Sequence, residues 1–223
     1  MVSRKLLITG AAKRIGAAIA TQLASDGWHV MIHCNRNRQS ADELCNSLLE
    51  KGLKAEVLQA DLSNPDACIQ LIHEASQGEG LNALINNASL FVYDEITEFS
   101  AQTLQSHMAV NVAAPAILTA EFAKNIRHEN QGCVINMLDS KLFGLNPDYF
   151  TYTLSKAALQ NFGILAAQAY APKLRVNAIA PGITLPSGGQ TQEEFEKSHQ
   201  RNLLRKGADT EDIVAAARLI LST

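Results

Sequence analysis

A chain of 223 residues, 47% apolar and 18% charged, can bury a core without disulfide or metal staples and is too apolar to be disordered. Its 19 Lys and Arg against 22 Asp and Glu leave a net charge of −3 with no dense basic block, so nucleic acid and anionic membranes are not expected partners. The longest apolar stretch, around residues 108–120, is interrupted by Asn111 and Pro115 and is too short to cross a bilayer.

In chain order, Lys5-Leu6-Leu7-Ile8 is a short apolar run ahead of Thr9-Gly10, which predicts a buried strand. Ile15, Ile19 and Leu23 then recur at helical spacing, and Gly27 closes that helix. His29-Val30-Met31-Ile32 is the next strand, and Ala41, Leu44 and Leu48 mark a helix ending near Gly52. After the strand Ala55-Glu56-Val57-Leu58, the segment Asp61-Leu62-Ser63-Asn64-Pro65 reads as a loop that caps another helix. Ala83-Leu84-Ile85-Asn86 and Cys133-Val134-Ile135-Asn136 predict two strands separated by one long helix over 103–127. A helix over 150–170, the strand Leu174-Arg175-Val176-Asn177-Ala178, a mobile loop over 183–190 and a helix over 212–221 complete the order. Strict alternation of strand and helix implies a parallel sheet covered on both faces. Residues 1–223 therefore read as one doubly wound, three-layer α/β domain of Rossmann type. In such sheets ligands bind beyond the carboxyl ends of the strands, where the strand order reverses.

The cysteines Cys34, Cys45, Cys68 and Cys133 show no metal or disulfide spacing and read as reduced core thiols; no metal is expected. Leu6-Leu7-Ile8 runs straight into Thr9-Gly10 without a leader pattern, so the expected setting is intracellular and cytoplasmic.

Thr9-Gly10-Ala11-Ala12-Lys13-Arg14-Ile15-Gly16 joins the first strand to the first helix. Gly10 permits a tight turn, Gly16 permits close helix–sheet packing, and the helix N-terminus offers N–H groups to a pyrophosphate. A dinucleotide site would next place an acid about 20 residues on, to hold the ribose hydroxyls. Here the second strand runs into His33-Cys34-Asn35-Arg36-Asn37-Arg38, with two guanidinium groups and no carboxylate. That chemistry suits a 2′-phosphate, so the expected cofactor is NADP. The alternative is a solvated basic loop.

Tyr152 and Lys156 stand four residues apart, on one face of a predicted helix. A free tyrosine, with a pKa of about 10, is a weak proton donor at neutral pH, and a nearby ammonium would lower that value. Taken with Thr9-Gly10…Gly16, Asp61, Asn86-Asn87-Ala88, Asn111 and Pro181-Gly182, this pair resembles the short-chain dehydrogenase/reductase family in order and spacing over essentially the whole chain. The resemblance implies hydride delivery from a nicotinamide with Tyr152 as acid. It implies that Lys156 holds the nicotinamide ribose and that Asn111 helps hold a water leading to Lys156. Asp61 and Leu62 fall in the adenine-contacting segment, and Asn87, Ala88, Pro181 and Gly182 along the rest of the cofactor. It also implies a homotetramer, which the largely apolar circumference of the 150–170 helix would serve, and a further parallel strand beyond the last helix, which a sequence ending at Ser222-Thr223 does not contain.

Three departures from the ordinary family pattern are similar to the pteridine reductases: Arg14 at the middle glycine, Asp139 at the carbonyl-polarising serine, and Ser89-Leu90-Phe91 after Asn86-Asn87-Ala88. That resemblance implies a pterin-like substrate stacked by Phe91, touched by Arg14 and Ser89, and protonated by Tyr152 paired with Asp139. A flat electron-poor ring suits an aromatic face. Two alternatives stay open. In one, Ser140 takes the serine's place and the chain is a general carbonyl reductase, such as a 3-oxoacyl thioester reductase; in the other, it is a cofactor-binding protein without activity.

Overall fold

The computed structural model describes residues 4–126, 131–186, 190–200 and 202–222. Strands β1 (Lys5–Ile8), β2 (His29–Cys34), β3 (Ala55–Gln59), β4 (Ala83–Asn86), β5 (Gly132–Met137) and β6 (Leu174–Ile179) form one sheet in the order β3-β2-β1-β4-β5-β6. Every pairing is parallel. Because successive strand residues point to opposite faces, Leu6 and Ile8 join one core cluster while Leu7 joins the other. Helices α1 (Arg14–Ser25) and α2 (Arg38–Glu50) lie on the first face together with α8 (Thr210–Ser222), while α3 (Pro65–Ala75) and α5 (Ala114–Asn125) cover the second. Helix α6 (Phe150–Tyr170) packs against α5 and β6. Strand order reverses between β1 and β4, which opens a crevice at their carboxyl ends.

Local chemistry explains several boundaries. Asn64 caps α3 through its side-chain oxygen, which accepts from the N–H groups of Asp66 and Ala67, and Pro65 follows at the first helical position. The expected single helix over 103–127 is instead three pieces. Helix α4 (Ala101–Met108) runs into a π-helical turn, Ala109–Ala113, before α5 begins, and residue 127 lies outside the described residues. Nothing in the apolar periodicity marks a π turn, since it widens one turn without changing residue type. A helix absent from the sequence reading, α7 (Gln192–Gln200), follows the expected loop, of which residues 187–189 lie outside the described residues. All four cysteines are free and buried. Among the described residues no helix is long and apolar enough to cross a membrane.

Candidate active site

Gly10 turns out of β1 with φ +63, and a side chain there would bring its Cβ to 2.9 Å from Ala88 Cα, so the turn and the end of β4 touch only because Gly10 has none. Gly16 has the same role six residues on, where a Cβ would sit 2.6 Å from both Asn87 Nδ2 and Gly10 O. Thr9 Oγ1 accepts from the N–H groups of Asn87 and Ala88, both at 3.0 Å, while Asn87 Nδ2 donates to Thr9 O and Gly10 O. The Asn87 amide is thus a brace for the turn. No side chain caps the N-terminus of α1, leaving its first N–H groups open to an anion.

Arg14, where a glycine is usual, has φ +58, the left-handed region that a side chain makes costly. Its guanidinium is exposed at the mouth of the turn, beside the half-buried Ile15. His33 Nδ1 accepts the Gly10 N–H at 3.1 Å and its Nε2 donates to Ala60 O at 3.2 Å, which fixes a neutral tautomer. Burial holds the imidazole at a pKa of about 4. The loop beyond β2 is exposed at Asn35, Arg36 and Asn37. Its two arginines differ. Arg38 is tied to Asp42 at 2.9 Å, whereas Arg36 has no ion-pair partner among the described residues. Asp61 accepts from Ser63 N and Oγ and from Asn35 Nδ2, and these hydrogen bonds, with Arg36 nearby, hold its carboxyl below the usual range. Leu62 is buried in the second core cluster, so only its main chain can face a ligand. Pro181 and Gly182 lie past β6, where Pro181 O accepts the Ser140 N–H.

Asp139 leaves β5 next to α6. Its Oδ1 caps the 3₁₀ turn Ser140–Phe143 by accepting the Lys141 N–H, and its Oδ2 accepts the Tyr152 hydroxyl at 2.8 Å. Of the two candidates for the serine position, Asp139 reaches Tyr152, and Ser140 is exposed beyond it. Burial first, and then the Asp139 charge, push the Tyr152 phenol well above its ordinary value. This differs from the expectation that Lys156 lowers it. The Lys156 ammonium lies 5.6 Å from the centre of the tyrosine ring and donates to Met137 O at 2.7 Å, and burial lowers its own pKa to about 8. Asn111 sits in the π turn. Its Nδ2 donates to Leu90 O and Ser155 Oγ, both at 2.9 Å, while its Oδ1 accepts from Leu90 N and from Ser89 Oγ. The side chain that the resemblance assigns to a water therefore anchors the 89–90 segment.

Phe91, 44% exposed, meets the Tyr152 ring edge-on at 4.7 Å. Its face stacks on Tyr149 at 4.2 Å and 10°, a contact missing from the sequence reading. The available signal was Tyr149 standing three residues before Tyr152, one helical turn away. Tyr149 itself has φ +52 at the start of α6.

A profile of the short chain dehydrogenases matches residues 4–197. The chain belongs to the short-chain dehydrogenase family. It is an oxidoreductase of that family, with a six-stranded parallel sheet. Among solved structures, the FolM alternative dihydrofolate reductase 1 of Brucella suis, in complex with NADP, is 39% identical, with a TM-score of 0.96 over 100% of this chain and 90% of that one. The Brucella canis protein of the same name, also complexed with NADP, is 38% identical with a TM-score of 0.95, covering 100% of this short-chain dehydrogenase and 88% of its own chain. The oxidoreductase YjdA of Bacillus subtilis is 34% identical over 80% of this chain and 74% of its own.

Proposed function

We propose that this short-chain dehydrogenase is an NADPH-dependent reductase of a pterin or dihydrofolate-like ring. The observation that carries the reading is the 2.8 Å hydrogen bond from Tyr152 to Asp139, at the position where a carbonyl reductase of the family would carry serine. The likeness to the Brucella FolM proteins supports it.

The residues present fit NADPH. The uncapped start of α1 and the Gly10 turn would take the pyrophosphate, Arg14 would add charge there, and Arg36 would meet the 2′-phosphate. When bound, the cofactor supplies a hydride. The chain supplies the proton and the orientation. Reduction of a ring C=N needs one proton at nitrogen, and the Tyr152 hydroxyl holds it. Burial and Asp139 both oppose a phenolate, so Tyr152 keeps its proton until the ring nitrogen becomes basic enough to take it. Lys156 offsets the charge left behind. Phe91 has one face on Tyr149, so a flat ring would use the face that Tyr149 leaves open, with Tyr152 edge-on to Phe91 and Ser89 two residues before it.

The test follows NADPH oxidation with dihydrobiopterin, dihydrofolate and an acetoacetyl thioester in parallel, in the wild type and in Asp139→Ala and Ser140→Ala. Turnover of a pterin that falls in Asp139→Ala and persists in Ser140→Ala is the expected result. Loss in Ser140→Ala with Asp139→Ala unaffected, or reduction of the thioester alone, overturns the reading.

Helix α6 exposes Leu154, Ile164 and Leu165 on its outer face, which supports a homotetramer built through it. Leu165→Glu should then lower the mass seen by sedimentation. The four free thiols fit a reducing, cytoplasmic setting.

A further inference from the structure

The loop that carries Phe91 and the helix that carries Tyr152 are joined by a buried polar chain unrelated to the cofactor or to proton delivery. It is centred on His107, near the end of α4, which is 0% exposed. The N–H of Val92, the residue after Phe91, donates to His107 Nε2 at 3.3 Å. Nε2 must then be unprotonated and Nδ1 must carry the hydrogen. Nδ1 lies 2.7 Å from Thr151 Oγ1, on the residue before Tyr152, and donates to it. The Thr151 hydroxyl in turn donates to Asp94 Oδ2, and the Thr151 N–H donates to Asp94 Oδ1 at 3.0 Å. Each hydrogen of the chain has an acceptor, and the direction is set at one end by a main-chain amide and at the other by a carboxylate. The chain begins and ends in the same loop, at Val92 and Asp94. It passes through α4 and through the first turn of α6.

We infer that His107 is a positioning residue for the substrate ring: with Thr151 and Asp94 it latches the Phe91 loop to the start of α6 and so sets the Phe91 ring against Tyr152. The adjacency is direct, since the latched residues are the sequence neighbours of the two rings, which meet at 4.7 Å. Asn111, one helical turn on from His107, holds the other side of the loop through Leu90. The loop between them is exposed at Phe91, Val92 and Tyr93, and its remaining ties are the packing of Phe91 and Tyr93 on Tyr149 and the Phe150 N–H, which donates to Asp94 O at 3.2 Å. An apolar side chain at position 107 would leave the Val92 N–H and the Thr151 hydroxyl without the imidazole, at a cost of about five- to tenfold in the population of the ordered loop.

This inference rests on the reading of Phe91 and Tyr152 as the substrate-facing rings, and its test separates the two. In the protein without ligands, hydrogen exchange is followed at the amides of residues 90–95, and NADPH affinity is measured beside it. For whichever pterin the wild type turns over, KM and kcat are then compared among the wild type, His107→Phe, His107→Gln and Thr151→Val. His107→Phe should speed exchange in the loop and raise KM about fivefold or more, with NADPH affinity and kcat changed less than twofold. A glutamine can accept from Val92 and donate to Thr151, so His107→Gln should recover most of the protection and of the KM. Thr151→Val removes only the central hydroxyl at nearly constant volume and should reproduce His107→Phe in weaker form, which keeps the question answerable should the phenylalanine variant not fold. Unchanged exchange in both His107→Phe and Thr151→Val, or equal losses in NADPH affinity and KM, overturns the latch. A wild type that turns over no pterin sinks the functional reading alone, because the exchange experiment still decides whether the latch exists.

Discussion

Tyr152 is held as a protonated donor by its surroundings, and this gives the sharpest expectation for a single side chain. Tyr152→Phe keeps the ring that Phe91 touches and removes only the hydroxyl. NADPH binding should survive while turnover falls by about 10²-fold or more; a variant that keeps most of its rate would show that another group delivers the proton. Arg36 invites a similar test. Its exposed guanidinium has no ion-pair partner among the described residues, and one charge-assisted contact contributes about 1.5–3 kcal/mol. Arg36→Asp should therefore shift the NADPH-to-NADH affinity ratio by at least about tenfold, and equal affinities for the two cofactors in the wild type would remove Arg36 from the 2′-phosphate site. Residue-level reading of the sequence found Tyr152 through its spacing to Lys156 and the family resemblance, and Arg36 through the missing acid after the second strand. It missed Tyr149, His107 and Thr151, whose types are ordinary and whose roles arise only from neighbours 44 to 58 positions away, as in His107–Thr151 and Phe91–Tyr149.

Among the elements, the turn between β1 and α1 carries the clearest sign of function over stability. Arg14 holds φ +58 where glycine would rest without strain, a cost of about 1 kcal/mol. Arg14→Gly should raise the unfolding free energy by about 0.5–1 kcal/mol, less than the full relief because glycine is freer in the unfolded chain. It should at the same time weaken NADPH binding. Denaturant unfolding and a cofactor titration on one preparation would check both, and a variant that is less stable would contradict the assignment of strain. Most helices were legible through their apolar period and the strands through short continuous apolar runs, since a strand buried on both faces, like Leu6, Leu7 and Ile8 between the two core clusters, is apolar at every position. The π turn around Asn111 was not, because its cause is a hydrogen-bond register that leaves no apolar pattern, and α7 was not, because only Phe195 of its residues is buried.

At the scale of the whole molecule, stability should depend on pH through His33. The imidazole is held neutral in the fold with a pKa of about 4, against 6.5 for a free histidine. A base whose folded pKa is lowered stabilises the fold fully above 6.5, and that contribution is lost as pH falls toward 4, because the unfolded chain takes up the proton first. The gap corresponds to about 3 kcal/mol, measurable by denaturant unfolding between pH 7 and pH 4. His33→Gln should flatten the slope across that window, and an unchanged slope would place the titration elsewhere.

The order of strands also divides labour along the chain. Groups suited to the adenosine and pyrophosphate end of a dinucleotide come from the ends of β1, β2 and β3, whereas Phe91, Asp139, Tyr152 and Lys156, at its nicotinamide end, follow β4 and β5. The seam between these halves is the contact of Thr9 and Gly10 with Asn87 and Ala88. A change of coenzyme preference made in residues 35–38 thus lies away from the substrate ring, and a graft of residues 33–38 has to preserve the bonds of His33 to Gly10 and Ala60 and of Asn35 to Asp61.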